Sequence, residues 1–264
     1  MRLDIYLAEK GLCRSRERAK SLIKSSLVKV NGKTAEKPSA EVSEGDTVEI
    51  SEGAQSYVGR GHVKLAAAFE SFDLDVRGKV CADIGASSGG FTQCLLEQGA
   101  GKVYAVDVGH GQLAQELIED ERVVNCEGVN ARELPKELFS EPVEFMSVDL
   151  SFISLRLVMP ALCSCLEEGG EMAVLIKPQF EAGRAALNKN GIVRGRKDHE
   201  RALGEVFDCF SACGLAVRGA AFSPIAGGDG NIEYLAHLTK GGEGKVPDVR
   251  SLVSAAFLNF KHNN

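Results

Sequence analysis

The stretch from Val80 to Phe91, with the sequence Val-Cys-Ala-Asp-Ile-Gly-Ala-Ser-Ser-Gly-Gly-Phe, decides the fold of this chain. Its first residues form a short apolar run, which predicts a buried parallel strand. The small residues that follow predict a tight turn into a helix that begins near Phe91. Glycines in such a turn allow a ligand to approach the backbone closely, and the N–H groups of the helix start point towards it. We therefore expect a ligand-binding loop here.

The spacing of these glycines differs from that of a dinucleotide-binding loop. Ser87 stands two positions after Gly85, where that motif has the glycine that seats a pyrophosphate. Asp83 lies two positions before Gly85, and a carboxylate there suits a ligand with a cationic amino-acid end. Asp107 ends the next apolar run. Its spacing in the sequence from the glycine loop is that expected for a carboxylate that binds ribose hydroxyls. S-adenosylmethionine has an amino-acid end and a ribose but no phosphate, so we favour a methyl-donor site over a nucleotide site.

Strand-like and helix-like segments alternate from residue 79 onwards, which predicts a parallel sheet with helices on both faces. Two later strands, Leu215–Phe222 and Ile232–Leu238, are joined by a segment too short for a helical crossover, so they should pair antiparallel. The predicted fold class is α/β: a Rossmann-like methyltransferase fold, with a mostly parallel seven-stranded sheet and one antiparallel strand, behind a small α+β domain. The other predicted strands are Val80–Ile84, Val103–Val106, Val123–Asn125, Glu144–Val148 and Met172–Ile176.

The composition, 44% hydrophobic and 26% charged over 264 residues, is typical of a soluble globular protein. The apolar stretches have the length of strands, so we expect no membrane-spanning segment. The first residues include Arg2 and Asp4 and lack the apolar region of a signal peptide. We therefore predict no signal peptide and a cytoplasmic location. The eight cysteines form no C-x-x-C pair, which indicates reduced thiols packed as small apolar residues.

The net charge of −6 argues against a uniformly basic protein, but the charge is segregated. Residues 1–37 hold ten Lys and Arg against four acids, whereas residues 38–58 hold five acids and no Lys or Arg. Arg16, Lys20 and Lys24 recur every four residues, so they line one stripe of a predicted helix. By itself such a stripe is most often a solvated helix face.

A hairpin follows this basic helix. Residues 28–33 read Val-Lys-Val-Asn-Gly-Lys, in which Asn-Gly between β-prone residues predicts a tight turn. With residues 2–4 and 15–19, this order resembles the RNA-binding module of ribosomal protein S-four and of many pseudouridine synthases. In that module the helix contacts RNA phosphates, which gives affinity more than sequence choice. The resemblance implies RNA-binding roles for Arg2, Arg14, Arg16, Arg18, Lys20, Lys24 and Lys29.

Three ionisable residues fall at the carboxyl edge of the predicted parallel sheet, where ligands of open α/β sheets bind. Asp149 and Lys177 follow two of the predicted strands, and Glu233 stands at the start of the last. Each alone is about as often merely solvated as functional. Lys177 is the least expected, because a buried ammonium is costly without partners.

Several separated motifs together resemble the TlyA family of ribosomal-RNA cytidine 2′-O-methyltransferases, which carry an RrmJ/FtsJ-type catalytic domain behind the RNA-binding module. Gly59 and His62 depart from the pattern, since the family more often has serine and glycine there, which bears on domain orientation more than on chemistry. The resemblance covers about residues 1–240 and rests on residues 57–65 (Tyr-Val-Gly-Arg-Gly-His-Val-Lys-Leu), 83–92, 105–109, 149–155 (Asp-Leu-Ser-Phe-Ile-Ser-Leu) and 176–181 (Ile-Lys-Pro-Gln-Phe-Glu).

The family's catalytic set of Lys-Asp-Lys-Glu falls by motif on Lys64, Asp149, Lys177 and Glu233. A ribose 2′-hydroxyl is a poor nucleophile, so its proton must leave as it attacks the methyl group. Lys177, crowded by Lys64, is expected to act as base or to stabilise the developing alkoxide, while the carboxylates orient the lysines. In-line alignment of the acceptor oxygen with the methyl group should account for much of the rate acceleration. We expect no metal, because the histidines show no ligand spacing.

The donor is expected to contact both the glycine loop and the strand ends. Asp107 should bind the ribose, and Asn130 either contacts the adenine or makes a local turn, two interpretations of equal weight. Asp149 is also expected at the cofactor site. The residues expected around the methionine end are Asp83, Gly85, Ser87, Gly89, Gly90 and Phe91.

The loop after Lys177 is too long for a simple connection. We expect it to form a basic lip that holds RNA beside the active site, with a solvated loop as the alternative. Its basic residues are Arg184, Lys189, Arg194, Arg196 and Lys197.

These patterns predict an RNA-binding domain at residues 1–58, a methyltransferase domain at 59–240 and a tail at 241–264 with an amphipathic helix. The predicted function is 2′-O-methylation of cytidine in ribosomal RNA, with S-adenosylmethionine as cofactor and ribosomal subunits as partners. A non-catalytic ribosome assembly factor is the alternative. A membrane-active haemolysin is a weaker one, because no spanning segment or strongly amphipathic basic helix is predicted. The sequence leaves open the ribosomal subunit and the choice between monomer and homodimer.

Overall fold

The N-terminal part of the chain folds around its own small core. The structure, a computed structural model, describes residues 1–13, 16–24, 27–35, 37–43, 45–50, 57–245 and 247–262. Helices α1 (Leu3–Glu9) and α2 (Arg16–Lys24) pack together, and their apolar faces meet a three-stranded antiparallel sheet. The strands of that sheet are β1 (Val28–Val30), β2 (Lys33–Thr34) and β3 (Val48–Ile50), in the order β2-β1-β3.

The hairpin predicted from Asn-Gly is confirmed. Strand β1 pairs antiparallel with β2. Asn31 and Gly32 have φ angles of 52° and 76°, so both central residues of the turn are in the left-handed region. This backbone matches the right-handed twist of the flanking strands, which is why asparagine and glycine are favoured here.

The larger part of the chain contains a seven-stranded sheet in the order β6-β5-β4-β7-β8-β10-β9. Strand β10 runs antiparallel to both of its neighbours, and the pairs on the β6 side are parallel, as predicted. Strands β4 and β9 match the predicted ranges, whereas β8 begins six residues earlier than predicted, at Leu166 instead of Met172. The strands are β4 (Val80–Ile84), β5 (Lys102–Asp107), β6 (Val123–Glu127), β7 (Val143–Val148), β8 (Leu166–Ile176), β9 (Leu215–Phe222) and β10 (Tyr234–Lys240).

Helices cover both faces of this sheet, so the domain has three layers. The buried side chains of α6, α8 and α9 share one apolar cluster with the strands, and those of α3, α4 and α5 share the other. Helix α9 packs on α8 and β9, so the amphipathic helix of the tail docks on its own domain. The helices are α3 (Gly61–Phe72), α4 (Gly90–Glu97), α5 (Gln115–Ile118), α6 (Leu155–Cys165), α7 (Pro178–Glu181), α8 (Arg196–Ala212) and α9 (Val249–His262).

This topology brings the predicted site residues to one edge of the sheet. The carboxyl ends of the parallel strands β4, β5, β7 and β8 lie at the same edge. Because β10 is antiparallel to β8, its amino end lies there too, and Tyr234 pairs with Ile176. Residues that follow the parallel strands therefore meet residues that precede β10.

In the N-terminal core, a buried carboxylate anchors two of the arginines predicted to bind RNA. Asp4 is fully buried on α1, and its carboxylate accepts hydrogen bonds from Nε of Arg2 and Nε of Arg16, each at 2.9 Å. These arginines, Arg2 first, hold the pKa of Asp4 well below its ordinary value. The carboxylate thus fixes one side of each guanidinium while about half of each side chain stays exposed, at 45%.

We predict that Asp4→Asn lowers the unfolding temperature at pH 7. A carboxyl whose pKa is depressed in the folded state stabilises above its unfolded pKa, and that contribution is lost as pH falls. The difference between variant and wild type should therefore shrink below about pH 4. Thermal unfolding of the full chain from pH 3 to 7 measures it. The matched control is Asp75→Asn, since Asp75 pairs with Arg77 on the surface. A deficit no larger than the control's would contradict this anchoring role.

Candidate active site at the carboxyl edge of the sheet

The glycine loop after β4 packs tightly against the neighbouring strand ends. Gly85 has a φ of 88°, and a side chain there would overlap the carbonyl oxygen of Asp149. Ser87 also has a positive φ, 48°, and its N–H donates to the Asp107 carboxylate at 2.8 Å. The loop is therefore fixed to the ends of both β5 and β7, and only glycine fits at position 85.

Asp83, which was expected beside the methionine end of the donor, lies beneath this loop. It is fully buried, and its oxygens accept hydrogen bonds from the hydroxyls of Thr92, at 2.7 Å, and Ser147, at 3.0 Å. It lines neither of the two cavities described below. Burial raises the pKa of Asp83 to about 7. Asp83 thus supports the loop from within, because it joins β4, β7 and α4.

A first cavity of about 480 Å³ opens beside the loop. The Asp107 carboxylate accepts a second backbone hydrogen bond, from Gly109 at 2.7 Å, so it is held in place at the cavity wall. The Asn130 side chain accepts from the N–H of Arg132 and caps a short 3₁₀ turn, while it also lines the cavity. The remaining lining residues include Gly85, Ser87, Val106, Val108, Gln112, Val129, Asp149 and residues 150–153.

A second cavity of about 430 Å³ adjoins the first, and Gly85, Ser87 and Asp149 line both. Its wall combines the start of α3 with the start of α4, and it contains Arg60 and Lys64. The two cavities therefore adjoin at the carboxyl edge of the sheet. Asp149 stands at the point where they meet.

Two ion pairs hold the four residues of the predicted catalytic set. Nζ of Lys64 lies 2.6 Å from a carboxylate oxygen of Glu233, and both side chains are less than a tenth exposed. Nζ of Lys177 lies 2.6 Å from Asp149 and donates to the Ser151 hydroxyl at 2.8 Å. Each lysine therefore has its own carboxylate, which offsets the large desolvation cost of a buried ammonium.

Two loops beside the site are joined by Glu181, which sequence reasoning did not single out. The buried Glu181 carboxylate accepts from the Ser154 hydroxyl at 2.6 Å and from the N–H of Leu155 at 2.8 Å. It thereby caps the amino end of α6 from α7. The segment 149–155 is held at one end by Lys177 and at the other by Glu181. The motif Ile-Lys-Pro-Gln-Phe-Glu contained this signal, but its partner could not be read from the sequence.

Phe152 lies at the tip of the segment held in this way. Its side chain is 92% exposed, its φ is 66°, and its ring lies 5.3 Å from that of Phe180. A bulky residue in the left-handed region is strained, and an exposed aromatic ring gains nothing from burial. Both features indicate a side chain that is kept for contact with another molecule.

The residues that depart from the family pattern lie where α3 meets α4. The His62 ring stacks on Tyr57, with ring centroids 3.7 Å apart, and its Nε2 lies 2.6 Å from Glu97. A side chain on Gly59 would come within 2.6 Å of the Ser88 hydroxyl oxygen. The start of α3 is therefore closely fitted to the glycine loop and to α4.

The basic loop after Lys177 is tied to the segment that precedes β10. The Asn231 side chain accepts from the N–H of Val193 and donates to the carbonyl of Gly191, at 3.1 Å each. Arg194 is exposed, and Arg196 is exposed with its guanidinium 5.3 Å from the Phe257 ring. The other basic residues of the loop, Arg184, Lys189 and Lys197, are also exposed.

The N-terminal RNA-binding candidates are described in part. Arg2 and Arg16 are held by Asp4, and Lys29 is exposed on β1. Lys20 is half-buried on α2 and has a partner of its own. Arg14 lies outside the described residues, and so do the side chains of Arg18 and Lys24. The sequence also makes residues 52–56 a plausible linker after the N-terminal domain, and these too lie outside the described residues.

Two further searches covered the part of the chain that the structure describes. Within it, no group of three or more His, Cys, Asp or Glu side chains is placed to hold a metal ion. None of its helices is both long and apolar enough to cross a membrane.

The sheet order, the glycine loop and the carboxylate after β5 define a protein of the α/β methyltransferase class. Residues 57–240 match the FtsJ-like methyltransferase model, and residues 1–48 match the S4 domain model. The chain belongs to the FtsJ-like methyltransferase family, and it carries an S4 domain before the catalytic one.

Named relatives and a solved structure agree with this membership. The chain is 44% identical to YqxC of Bacillus subtilis, over 92% of this chain and 87% of that protein. It is 40% identical to the 16S/23S rRNA (cytidine-2′-O)-methyltransferase TlyA of Mycobacterium tuberculosis, over 88% of this chain and 87% of TlyA. A solved structure from Streptococcus thermophilus, which carries a hemolysin name, superposes with a TM-score of 0.79 at 42% identity and covers 100% of this chain and 98% of that one.

We predict that Asp83→Asn becomes more stable relative to wild type as pH rises from about 4 to 7 and that the difference then levels off. The physical reason is that the folded state keeps the proton of a buried acid whose pKa is about 7, whereas the unfolded state releases it near its ordinary pKa. Wild-type stability therefore falls over this range, and asparagine removes that loss. Unfolding temperatures at several pH values measure it, with the exposed Asp229→Asn as control. Parallel pH curves for Asp83→Asn and wild type would contradict it.

We predict that Glu181→Ala exposes the amides of segment 149–157 to hydrogen exchange, because the N–H of Leu155 and the hydroxyl of the N-cap residue Ser154 lose their acceptor. Glu181→Gln should keep the protection. Its amide oxygen accepts from Leu155, and its NH₂ donates to the Ser154 hydroxyl after that hydroxyl rotates. Hydrogen exchange read by mass spectrometry measures the segment. The control is Glu205→Ala, which removes a half-buried carboxylate that pairs with Arg156 and Arg201 but does not contact the segment. Equal protection in Glu181→Ala and Glu205→Ala would show that Glu181 does not hold the segment.

Proposed function

We propose that this protein transfers the methyl group of S-adenosylmethionine to the ribose 2′-hydroxyl of cytidine in ribosomal RNA, within ribosomal subunits of the cytoplasm. The observation that carries the proposal is the set of two lysine–carboxylate pairs beside the junction of two cavities in a methyltransferase fold. The name of the TlyA relative, at 40% identity, supports the choice of reaction and substrate.

The residues of the two cavities fit S-adenosylmethionine. The Asp107 carboxylate is fixed by two backbone N–H groups at the wall of the first cavity, and each of its oxygens keeps a further lone pair for a ribose hydroxyl. Ser87, which lines both cavities, stands where a pyrophosphate-binding loop has a glycine. The two adjoining cavities, of about 480 and 430 Å³, provide one space for an adenosine and another for an amino-acid end. When bound, this cofactor supplies an electrophilic methyl group on a sulfonium.

The chain's own residues act on the acceptor. As the oxygen–carbon bond forms and the carbon–sulfur bond breaks, the hydroxyl proton must leave. Lys177 lines neither cavity itself, but Asp149 and Ser151 hold its Nζ in a fixed position, 2.6 Å from the Asp149 carboxylate that lines both cavities. In its ammonium form Lys177 stabilises negative charge on the 2′-oxygen, and in its neutral form it takes the proton. Lys64, paired with Glu233, lines the second cavity together with Asp149, so it would help to hold the acceptor in the orientation that the transfer requires.

Two surfaces suit the RNA. Phe152 presents an exposed ring at the wall of the first cavity, and an aromatic face of this kind stacks on an unpaired base. The exposed basic residues of the loop after Lys177 and of the S4 domain, among them Arg194 and Lys29, suit contacts with phosphates. These contacts would give affinity, and stacking on Phe152 would favour a nucleotide that has left its helix.

The test is methyl transfer from radiolabelled S-adenosylmethionine to unmodified 30S and 50S subunits separately. Wild type should place label in RNA at a linkage that resists alkali, since a 2′-O-methyl group blocks the attack that cleaves the chain. Lys177→Ala should lower the rate by roughly 10²–10⁴-fold, as expected for loss of a group that acts on the reacting oxygen. The matched control is Lys79→Ala, because Lys79 also pairs with a carboxylate, at 3.0 Å, but lies before β4 at the opposite end of the sheet.

Other outcomes point elsewhere. Label that alkali releases would identify a base or another atom as acceptor. Donor binding without transfer to either subunit would favour the assembly-factor alternative or a different RNA. A wild type that does not bind the donor would overturn the proposed enzyme.

A further inference from the structure

The loop between α7 and α8 contains a well-defined turn, residues 187–194, which we call the basic turn. Leu187 and Val193 form an antiparallel bridge across it. Within it, the Asn188 side chain accepts hydrogen bonds from the backbone N–H groups two and four positions later in the chain, at 2.8 and 3.0 Å. The turn therefore has a fixed shape of its own, since an asparagine side chain that bonds the following backbone stabilises a turn.

The basic turn carries positive charge that no acid nearby in the sequence balances. Residues 182–197 include five Lys and Arg and no Asp or Glu. Lys189 lies in the turn and Arg194 at its end, and both side chains are exposed. Neither forms an ion pair within the part of the chain that the structure describes. Charges in this state suit the phosphates of a nucleic-acid backbone, which give affinity and position without sequence choice.

Two buried side chains hold the basic turn to the rest of the domain. Asn231 is 1% exposed, and its side chain accepts from the N–H of Val193 and donates to the carbonyl of Gly191, at 3.1 Å each. His199, in the first turn of α8, is fully buried, and its Nε2 lies 2.9 Å from the carbonyl oxygen of Val193. Both backbone polar groups of Val193 are therefore satisfied by side chains from other segments.

The hydrogen bonds of His199 require one tautomer of its ring. A carbonyl oxygen only accepts, so Nε2 carries the proton and donates to Val193. In the neutral ring Nδ1 then accepts from the hydroxyl of Tyr234, at 2.9 Å. Burial lowers the pKa of His199, which keeps the ring neutral and this pattern in place at pH 7. The ring therefore connects the basic turn to the first residue of β10.

The two points of attachment flank the carboxylate that pairs with Lys64. Asn231 stands two positions before Glu233, and Tyr234 directly follows it. We propose that His199 and Asn231 are positioning residues, which hold the basic turn beside Glu233 so that RNA phosphates bound by the turn place the target ribose at the active site. This inference rests on the proposed function. A turn without these hydrogen bonds would have to be ordered by the RNA itself, at a cost in affinity.

The test separates the two hydrogen bonds of His199. In His199→Gln the side-chain NH₂ takes the place of Nε2 and still donates to Val193. In His199→Asn the amide reaches only as far as Nδ1, so it keeps the bond to Tyr234 and loses the bond to Val193. Fluorescence anisotropy of the labelled full chain with 30S and 50S subunits, at several salt concentrations, measures affinity. Methyl transfer to the same subunits measures kcat and KM.

His199→Asn should weaken binding to the substrate subunit about tenfold, because the freed turn must be ordered on binding. The slope of log affinity against log salt should become shallower by about one to two, since Lys189 and Arg194 lose their phosphate contacts. KM for the subunit should rise by more than kcat falls, because these contacts hold the RNA equally before and during transfer. His199→Gln should stay close to wild type, and Asn231→Ala should repeat the effects of His199→Asn.

Two further variants keep the test independent of folding. Lys189→Ala combined with Arg194→Ala changes only exposed side chains, and it should give the same loss of affinity and of salt slope. The control is His237→Asn, further along β10, where the histidine pairs with Glu171 and stacks on Phe72. It removes a histidine hydrogen bond away from the turn and should leave both quantities unchanged.

Several results would overturn the proposal. An unchanged salt slope in the variant that lacks both basic side chains would show that the turn does not bind phosphates. Equal losses in His199→Asn and His199→Gln would assign the ring a packing role only. If wild type binds subunits but transfers no methyl group, the proposed function fails while the affinities still decide the role of the turn. If wild type binds neither subunit, both fail.

Discussion

The burial of two ammonium groups at one end of the sheet is the constraint on which the site depends. Each lysine would be strongly destabilising there without a carboxylate in contact. Lys64 on α3 meets Glu233 at the start of β10, and Lys177 after β8 meets Asp149 after β7. Each pair therefore joins two separate elements. The two pairs therefore link the outer helix α3 to the antiparallel strand β10 and the ends of the two central strands to each other.

The fold could largely be predicted from the sequence because its signals are local. Apolar runs give the strands, and their alternation with helical segments gives the parallel sheet. The short segment between the last two strands requires them to pair antiparallel, and the structure confirms this. The edge at which Asp149, Lys177 and Glu233 gather then follows from topology alone. The long β8, which begins at Leu166, was missed because its first half is glycine- and glutamate-rich, which is unfavourable for a strand.

The site was less predictable because its important contacts are distant in sequence. Asp83 was expected in the donor cavity, but a carboxylate at the end of a buried strand can turn either into the loop or beneath it. Here Thr92 and Ser147 hold it beneath. The motifs that contain Glu181 and Arg60 indicated no role for either residue, because the residues that they contact lie elsewhere in the chain. The sequence thus predicts which strand ends hold the functional residues. It predicts less well the direction in which each of their side chains points.

The contact between Gly59 and Ser88 has a consequence for how such sequences can change. The Ser88 hydroxyl occupies the volume that a side chain at position 59 would need, and it does so at the base of the cavity wall. A serine at 59, which the family more often has, and the present Ser88 rotamer are therefore mutually exclusive. The two positions are therefore coupled: a side chain at position 59 requires the Ser88 hydroxyl to turn to another rotamer. In a chimaera that joins α3 of one relative to the glycine loop of another, the residues at both positions together decide how closely the helix and the loop fit.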